Sequence, residues 1–265
     1  LHLSLRRQRQ MCIRDRYQMD PLPKSVSLID IPGLQSRNCA TCSMHQLCLP
    51  TDLNESDTQR LDKIIGQRKI QRDGFLYRIG DPFTSLYAVR VGHFKSYQEN
   101  MAGDRQITGF QMIGELLGMD AIDSERYQCD AVALDDSEVC IIPFKTLETL
   151  FAQMPTLLHH FHRIMSQEIT GEQKVISFLG NMRAEQRFAA FLVNLSSRYE
   201  KRGYSPTRFQ LRMTREDIGN YLGLTIESVS RMIAKMRNDG LIAIRRRDVE
   251  VLDLARLKNL AEGIE

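Results

Sequence analysis

Long hydrophobic runs are absent from this 265-residue chain: no stretch approaches the ~20 apolar residues that a bilayer-spanning helix needs. No membrane-spanning helix is therefore expected. A secretory leader is not expected either, because residues 1–16 are basic and hold no apolar core. These two absences point to the cytoplasm. Thiols stay reduced there, so clustered cysteines read first as metal ligands rather than as disulfide partners. Net charge is small, +3, but unevenly placed. Residues 181–265 hold 16 Lys and Arg against 11 Asp and Glu, and residues 1–16 hold 5 Arg against 1 Asp, which leaves the body between them acidic. A basic C-terminal part on an acidic body suggests that only that part approaches a polyanion, although ordinary surface charge would look the same.

What the chain does have is length for two domains, with the apolar and charged fractions of a globular protein, 42% and 26%. Met11-Cys-Ile-Arg-Asp-Arg16 reads as the translation of a sequencing-adapter segment. Residues 1–16 are accordingly set apart from the fold, and Cys12 from the cysteine count, which leaves five. Residues 17–50 form a cysteine-bearing leader with little periodicity. Leu53–Gln67 is predicted as a short amphipathic helix, with Leu61, Ile64 and Ile65 at helical spacing. Between Lys69 and about Phe144, short alternating runs are broken by turn signals at Asp73-Gly74, Gly80-Asp81-Pro82, Gly92 and Ala102-Gly103-Asp104. Such regular strands predict a β-barrel or jelly roll over 51–150. A long helix follows within 151–182, from about Pro155 to Leu179. Its apolar positions, among them Phe161, Ile169, Ile176 and Leu179, recur near a 3.5-residue period. That spacing fits a seam against a second copy and packing on the chain's own barrel equally well. The expected fold class is α+β, with a C-terminal module over 183–265.

That module carries the most specific pattern, Thr214 to Arg237. Thr214 with Asp217 supplies a helix N-cap and first-turn acid. Ile218 and Leu222 face inward, Gly219 lets two helices cross closely, and Gly223 supplies a left-handed turn residue. Thr225 caps the next helix, which Val229, Met232, Ile233 and Met236 hold to a core. This meets the requirements of a DNA-binding helix-turn-helix position by position. Glu227, Ser230, Arg231 and Lys235 then point outward. Arginine suits guanine O6 and N7, glutamate accepts from a cytosine amine, and serine adapts to either. Leu241–Ile244 and Val249–Leu252 around Arg245-Arg-Arg-Asp248 read as a β-hairpin wing with a basic tip for phosphates. The module holds no acid pair, nucleophile–base pair or phosphate-cradling glycine loop, so no enzyme is expected.

Cys39-x2-Cys42-x5-Cys48 gathers three soft thiolate donors within a loop's reach. Iron–sulfur clusters and zinc both take such ligands. A fourth donor can come from Cys140 or Cys129, or His45 can close a Cys3His zinc site with the leader alone. Cys140 also reads as a buried strand cysteine. Cys129, in a polar turn-like stretch beside Asp130, is not expected to be a ligand.

Taken together, these residues resemble the CRP/FNR family of bacterial transcription regulators, and its oxygen-sensing FNR branch most closely. The likeness runs from Cys39 to about Leu260. It rests on the cysteine leader, Ser85–Tyr97, Gly103–Phe110, Val139–Phe144, and Gly219–Thr225 with Glu227-x-x-Ser-Arg231. The resemblance implies a cyclic-nucleotide-binding-like β-roll sensor domain, a dimerisation helix and a winged helix-turn-helix. It implies one [4Fe-4S] cluster on Cys39, Cys42, Cys48 and Cys140, which promotes dimerisation without oxygen. Ile169, Glu172 and Ile176 would lie at the homodimer seam, and Glu227, Ser230 and Arg231 would read a double-stranded operator similar to TTGAT-N4-ATCAA. Gly103 and Asp104 would face RNA polymerase. The cyclic-AMP-binding relative carries an Arg-Ser pair for the cyclic phosphate where Tyr127-Gln128 stand here, with Arg126 one place away. Nucleotide binding is therefore not expected. Ile226 stands where that relative has an arginine, which favours the FNR-like half-site.

Overall fold

The computed structural model describes Cys39, Cys42, residues 45–100 and residues 103–264. The adapter-like segment and most of the leader lie outside these residues. Helix α1 (Glu55–Asp62) starts where Asn54 accepts the Asp57 N–H at 2.8 Å. It ends well before the expected Gln67, because Gly66 already opens strand β1 (Gly66–Ile70), which pairs with a strand some 70 residues on. Long-range pairing overrides the local helical spacing there.

Strands β2 (Phe75–Tyr77), β3 (Ser85–Val91), β4 (His93–Glu99), β5 (Arg105–Met112), β6 (Leu116–Leu117), β7 (Asp130–Ala133) and β8 (Ser137–Pro143) follow. They form two antiparallel four-stranded sheets, ordered β1-β8-β3-β6 and β2-β7-β4-β5. The sheets stay open, so the jelly-roll reading holds and the closed barrel does not. Tyr77, Phe94, Ala131 and Val139 fill the space between them. Gly92 turns β3 into β4 at φ +88°, and a Cβ there would sit 2.1 Å from Ser137 Oγ.

A helix absent from the sequence reading, α2 (Phe144–Gln153), closes the roll and is followed by α3 (Pro155–Asn181). The two packing options for α3 divide along its length. Leu157 and Phe161 are buried against Leu49, Leu61, Leu86, Ile142 and Leu147 of the chain's own roll. Further along, Ile169 and Ile176 are 53% and 70% exposed, one heptad apart on an uncovered face.

The remaining elements are α4 (Ala184–Glu200), β9 (Arg208–Gln210), α5 (Arg215–Leu222), α6 (Ile226–Asn238), β10 (Ile242–Arg245), β11 (Asp248–Val251) and α7 (Leu254–Glu262). The wing hairpin is real and gains β9 as a third strand, in the order β10-β11-β9. The sequence reading did not foresee α7, which Asp253 caps and which buries Leu257 completely. Phe188, Leu192, Ile218, Val229, Ile233 and Met236 form the core of this part.

Candidate functional site

The helix-turn-helix is built from local rules. Thr214 and Asp217 exchange hydrogen bonds in a capping box, Thr214 Oγ1 accepting the Asp217 N–H at 3.0 Å and Asp217 Oδ2 accepting the Thr214 N–H at 2.9 Å. Gly223 ends α5 in the left-handed region at φ 62°. A Cβ on Gly219 would lie 2.7 Å from the Leu224 carbonyl oxygen, so only glycine allows this approach of turn to helix. Thr225 caps α6 by accepting the Ser228 N–H at 3.2 Å.

This packing leaves one face of α6 open. Glu227, Arg231 and Lys235 are exposed and Ser230 half-buried. The Glu227 carboxyl is held below its ordinary range by its own backbone N–H and then by the Thr225 hydroxyl, so it stays an ionised acceptor. Arg231 donates to Ser228 Oγ at 3.1 Å, Arg215 donates to Ser230 Oγ at 3.2 Å, and Lys235 pairs with Glu185 at 2.6 Å. Arg245 and Arg246 are exposed at the wing tip.

The cysteines converge across a much longer stretch of chain. Two successive turns, Cys42 N–H to Cys39 C=O and His45 N–H to Cys42 C=O, both 3.0 Å, wind the leader. Cys140 sits in β8, between Gln67 of β1 and Ala88 of β3. Cys48 and Cys140 both pack on the hydrophobic cluster that contains Leu49, Leu61 and Leu157. All four thiols are free and partly buried. Burial, and then the charge of Cys140, pushes the Cys48 thiol up to about 12. Burial pushes Cys140 up to about 11 against the opposing pull of Arg90, with Cys42 adding to the rise. Cys39 is raised further by burial and by Asp62, and it also feels Cys48 and Cys140.

The raised Cys39, Cys48 and Cys140 thiols oppose one another's ionisation, which a cationic iron or zinc centre relieves, because the ligating form is the thiolate. The residues present therefore fit a soft metal centre. Among the described residues no three His, Cys, Asp or Glu groups lie close enough to hold a metal ion, so the sulfurs are gathered without being closed into a coordination set. Cys129 lies apart, buried in the roll core 4.0 Å from the Tyr77 hydroxyl.

A contact that sequence reasoning missed ties this site to α3. His160 is 7% exposed, and its Nε2 donates to the Cys48 carbonyl at 3.2 Å while Nδ1 accepts from Arg163 at 2.8 Å. Burial and then the Arg163 charge lower its pKa, which keeps the ring neutral. Arg163 continues to Asp52 at 3.3 Å. The signal in the sequence is only a histidine and an arginine one helical turn apart.

The other expected positions are exposed. Glu172 lies with Ile169 and Ile176 on the open half of α3. Gly103 and Asp104 form the tip of the β4–β5 hairpin, where Asp104 N–H donates to Asn100 Oδ1 at 2.9 Å. Tyr127 is 2% exposed, stacks on Tyr77 with ring centroids 3.9 Å apart, and donates its hydroxyl to Ser85 C=O at 2.7 Å. An aromatic stack thus stands at the position that the resemblance matches with the cyclic-phosphate pair. Arg126 turns outward to the Gly80 carbonyl at 2.7 Å. The neighbouring cavity of about 340 Å³ is lined by Asp120, Glu168 and Glu172 with no Lys, Arg or His among the described residues, and burial raises the Glu168 carboxyl to about 7, so the lining offers a phosphate no cation.

Two family models match the chain: a cyclic nucleotide-binding domain over residues 67–154 and a Crp-like helix-turn-helix domain over 186–260. The "Fumarate and nitrate reduction regulatory protein" of Escherichia coli (strain K12) is 46% identical over 225 residues, which is 84% of this chain and 90% of that protein. This chain belongs to the CRP/FNR family of transcription regulators. The "Transcriptional regulatory protein btr" of Bordetella pertussis is 43% identical over 224 residues, covering 84% of this chain and 93% of its own. Among solved structures, FixK2 from Bradyrhizobium japonicum superposes with a TM-score of 0.69 at 26% identity, over 74% of this chain and 97% of that one. As a family member the chain is a DNA-binding regulator, and its relatives are regulators rather than enzymes. No helix among the described residues is long and apolar enough to cross a membrane.

Proposed function

We propose that this regulator is an oxygen-responsive member of the family, active without oxygen when Cys39, Cys42, Cys48 and Cys140 hold a [4Fe-4S] cluster. The observation that supports the reading is that Cys140, from the roll wall, and Cys48 pack on the same hydrophobic cluster, the one that buries the first half of α3, with Cys39 and Cys42 near enough to interact with them electrostatically. When bound, the cluster supplies an oxygen-labile cationic centre that favours the thiolates. The name of the Escherichia coli relative, fumarate and nitrate reduction, suits control of respiration without oxygen.

The chain's own residues then do the work of transmission. With the cysteines drawn together, Leu49 and the Cys48 carbonyl press on Leu157, Phe161 and His160, fixing the first half of α3. Its second half offers Ile169 and Ile176 to a second copy, with Glu172 near its own symmetry mate, so that the seam is marginal by charge. A marginal seam can be tipped: moving a two-state balance from mostly one side to mostly the other takes roughly 5 kcal/mol. In the homodimer, two α6 helices lie about one DNA turn apart. Glu227, Ser230 and Arg231 read each half of a TTGAT-N4-ATCAA-like palindrome, and the wing arginines contact phosphate. Gly103 and Asp104 at the exposed hairpin tip meet RNA polymerase. The thiols require a reducing compartment, the cytoplasm.

The alternative within the same fold is a zinc- or nucleotide-dependent regulator. The Tyr127–Tyr77 stack and the acidic cavity speak against an anionic nucleotide. The test is purification without oxygen: brown protein with a broad absorption near ~400 nm, losing colour, dimer and operator binding together in air, is the expected result. Colourless, zinc-containing protein that binds the operator equally in air would refute the reading.

A further inference from the structure

β5 is the outer strand of its sheet, and an edge strand leaves backbone N–H and C=O groups without a neighbouring strand. Here the first helix of the helix-turn-helix covers that edge. Asn220 Oδ1 accepts the Ile107 N–H at 2.6 Å, and Asn220 Nδ2 donates to the Arg105 carbonyl at 2.6 Å. Gln106 Nε2 returns a bond to the Asn220 carbonyl at 2.8 Å. One carboxamide thus stands in for a missing strand over Arg105–Ile107. Two charged ties flank it. Lys95 of β4 reaches Asp217 at 2.6 Å, and Glu115 takes Arg198 at 2.5 Å and Arg202 at 2.6 Å. Burial works against both carboxylates, but the cations outweigh it and hold them below their ordinary ranges.

This edge is where the roll can set the direction of DNA reading. Gly219 locks α5 against the turn leading into α6, so the two helices move as one body. Only Met182 and Arg183 join α3 to α4. A two-residue break leaves the angle between seam and reading head to whatever else holds the head. We propose that Asn220 is a positioning residue for DNA binding: docked on the β5 edge, it sets how each reading head points from the dimer, and so which half-site spacing the protein accepts. The proposal rests on the paired half-site reading above.

The test uses the full chain prepared without oxygen, with hydrogen exchange at the Ile107 amide and binding to palindromes with spacers of three, four and five base pairs. In Asn220→Ala the Ile107 amide should exchange roughly tenfold faster, the equivalent of one lost hydrogen bond. The preference for the four-base-pair spacer over its neighbours should shrink about threefold or more, as heads freed from the edge tolerate rotation. Gln106→Ala, on the roll side, should move both readouts in the same direction but less, with folding of the reading head untouched. Arg231→Ala should weaken all three palindromes and leave the spacer preference as it was. Unchanged Ile107 exchange in Asn220→Ala would overturn the dock. Faster exchange with an undiminished spacer preference would overturn the positioning role. Failure of the unmodified chain to bind any palindrome would instead refute the paired reading, and the role with it.

Discussion

The reading head and the cysteine site differ in the range over which they are built. In the head, each structural role is filled within three to five residues: Thr214 with Asp217, Gly219 with Leu224, Thr225 with Ser228. Such a unit caps itself, and its core runs on into the roll through Ile107, Phe110 and Met112, with no bound group needed to close it. The cysteine site joins a leader to a strand about ninety residues away, and its sulfurs are brought near without being closed. A self-closing element reads DNA, and under the function proposed above an element completed by a metal centre responds to conditions.

That contrast can be broken experimentally, and the largest effect should come from the cysteine side. Cys140→Ala is expected to abolish iron incorporation and, with it, operator binding without oxygen, while the secondary structure measured by circular dichroism stays near that of the parent. Normal iron content in this variant would take Cys140 out of the ligand set. Next in size, Arg231→Ala should cost about 1–3 kcal/mol of operator affinity and relax discrimination at one base pair per half-site. A uniform loss over all sequences in a binding-site selection would make Arg231 a phosphate contact. Thr225→Ala removes the α6 cap and should lower stability by about 1 kcal/mol in urea unfolding, independent of iron.

The smallest effect concerns pH. Glu115 and Asp217 have carboxyls lowered on folding despite burial, by Arg198 with Arg202 and by Lys95 with Thr214. Their contribution is complete above the ordinary carboxyl range, near ~4, and is lost as pH falls through the lowered folded values. Unfolding midpoints should therefore drop between about pH 5 and pH 3, and Asp217→Asn should flatten part of that drop. An unaltered slope would show that the pair adds nothing to the docking of the head.

Legibility followed the same division. Caps, the left-handed Gly223 and the inward stripe of α6 were readable because their partners lie within a turn. The family resemblance extended this to the roll. Pairing across the chain was not readable. Local spacing carried the first helix to Gln67, whereas β1 claims the chain from Gly66. Nothing short-range announced α2 or α7, nor that Tyr127 would stack on a tyrosine fifty residues earlier. The α3 stripe was ambiguous because it serves two surfaces in succession, Leu157 and Phe161 inward, Ile169 and Ile176 outward. At the cysteine site the candidate cysteines could be singled out, but not the His160–Arg163 link that ties Cys48 to that helix.

The central claim is that Cys140 and three leader cysteines hold iron and thereby govern DNA binding. The most direct test is iron and acid-labile sulfide per chain in protein purified without oxygen, read alongside operator binding before and after air. About four iron and four sulfide per chain, lost together with binding on exposure, is the predicted result. Iron-free protein that is fully dimeric and binds the operator would contradict it.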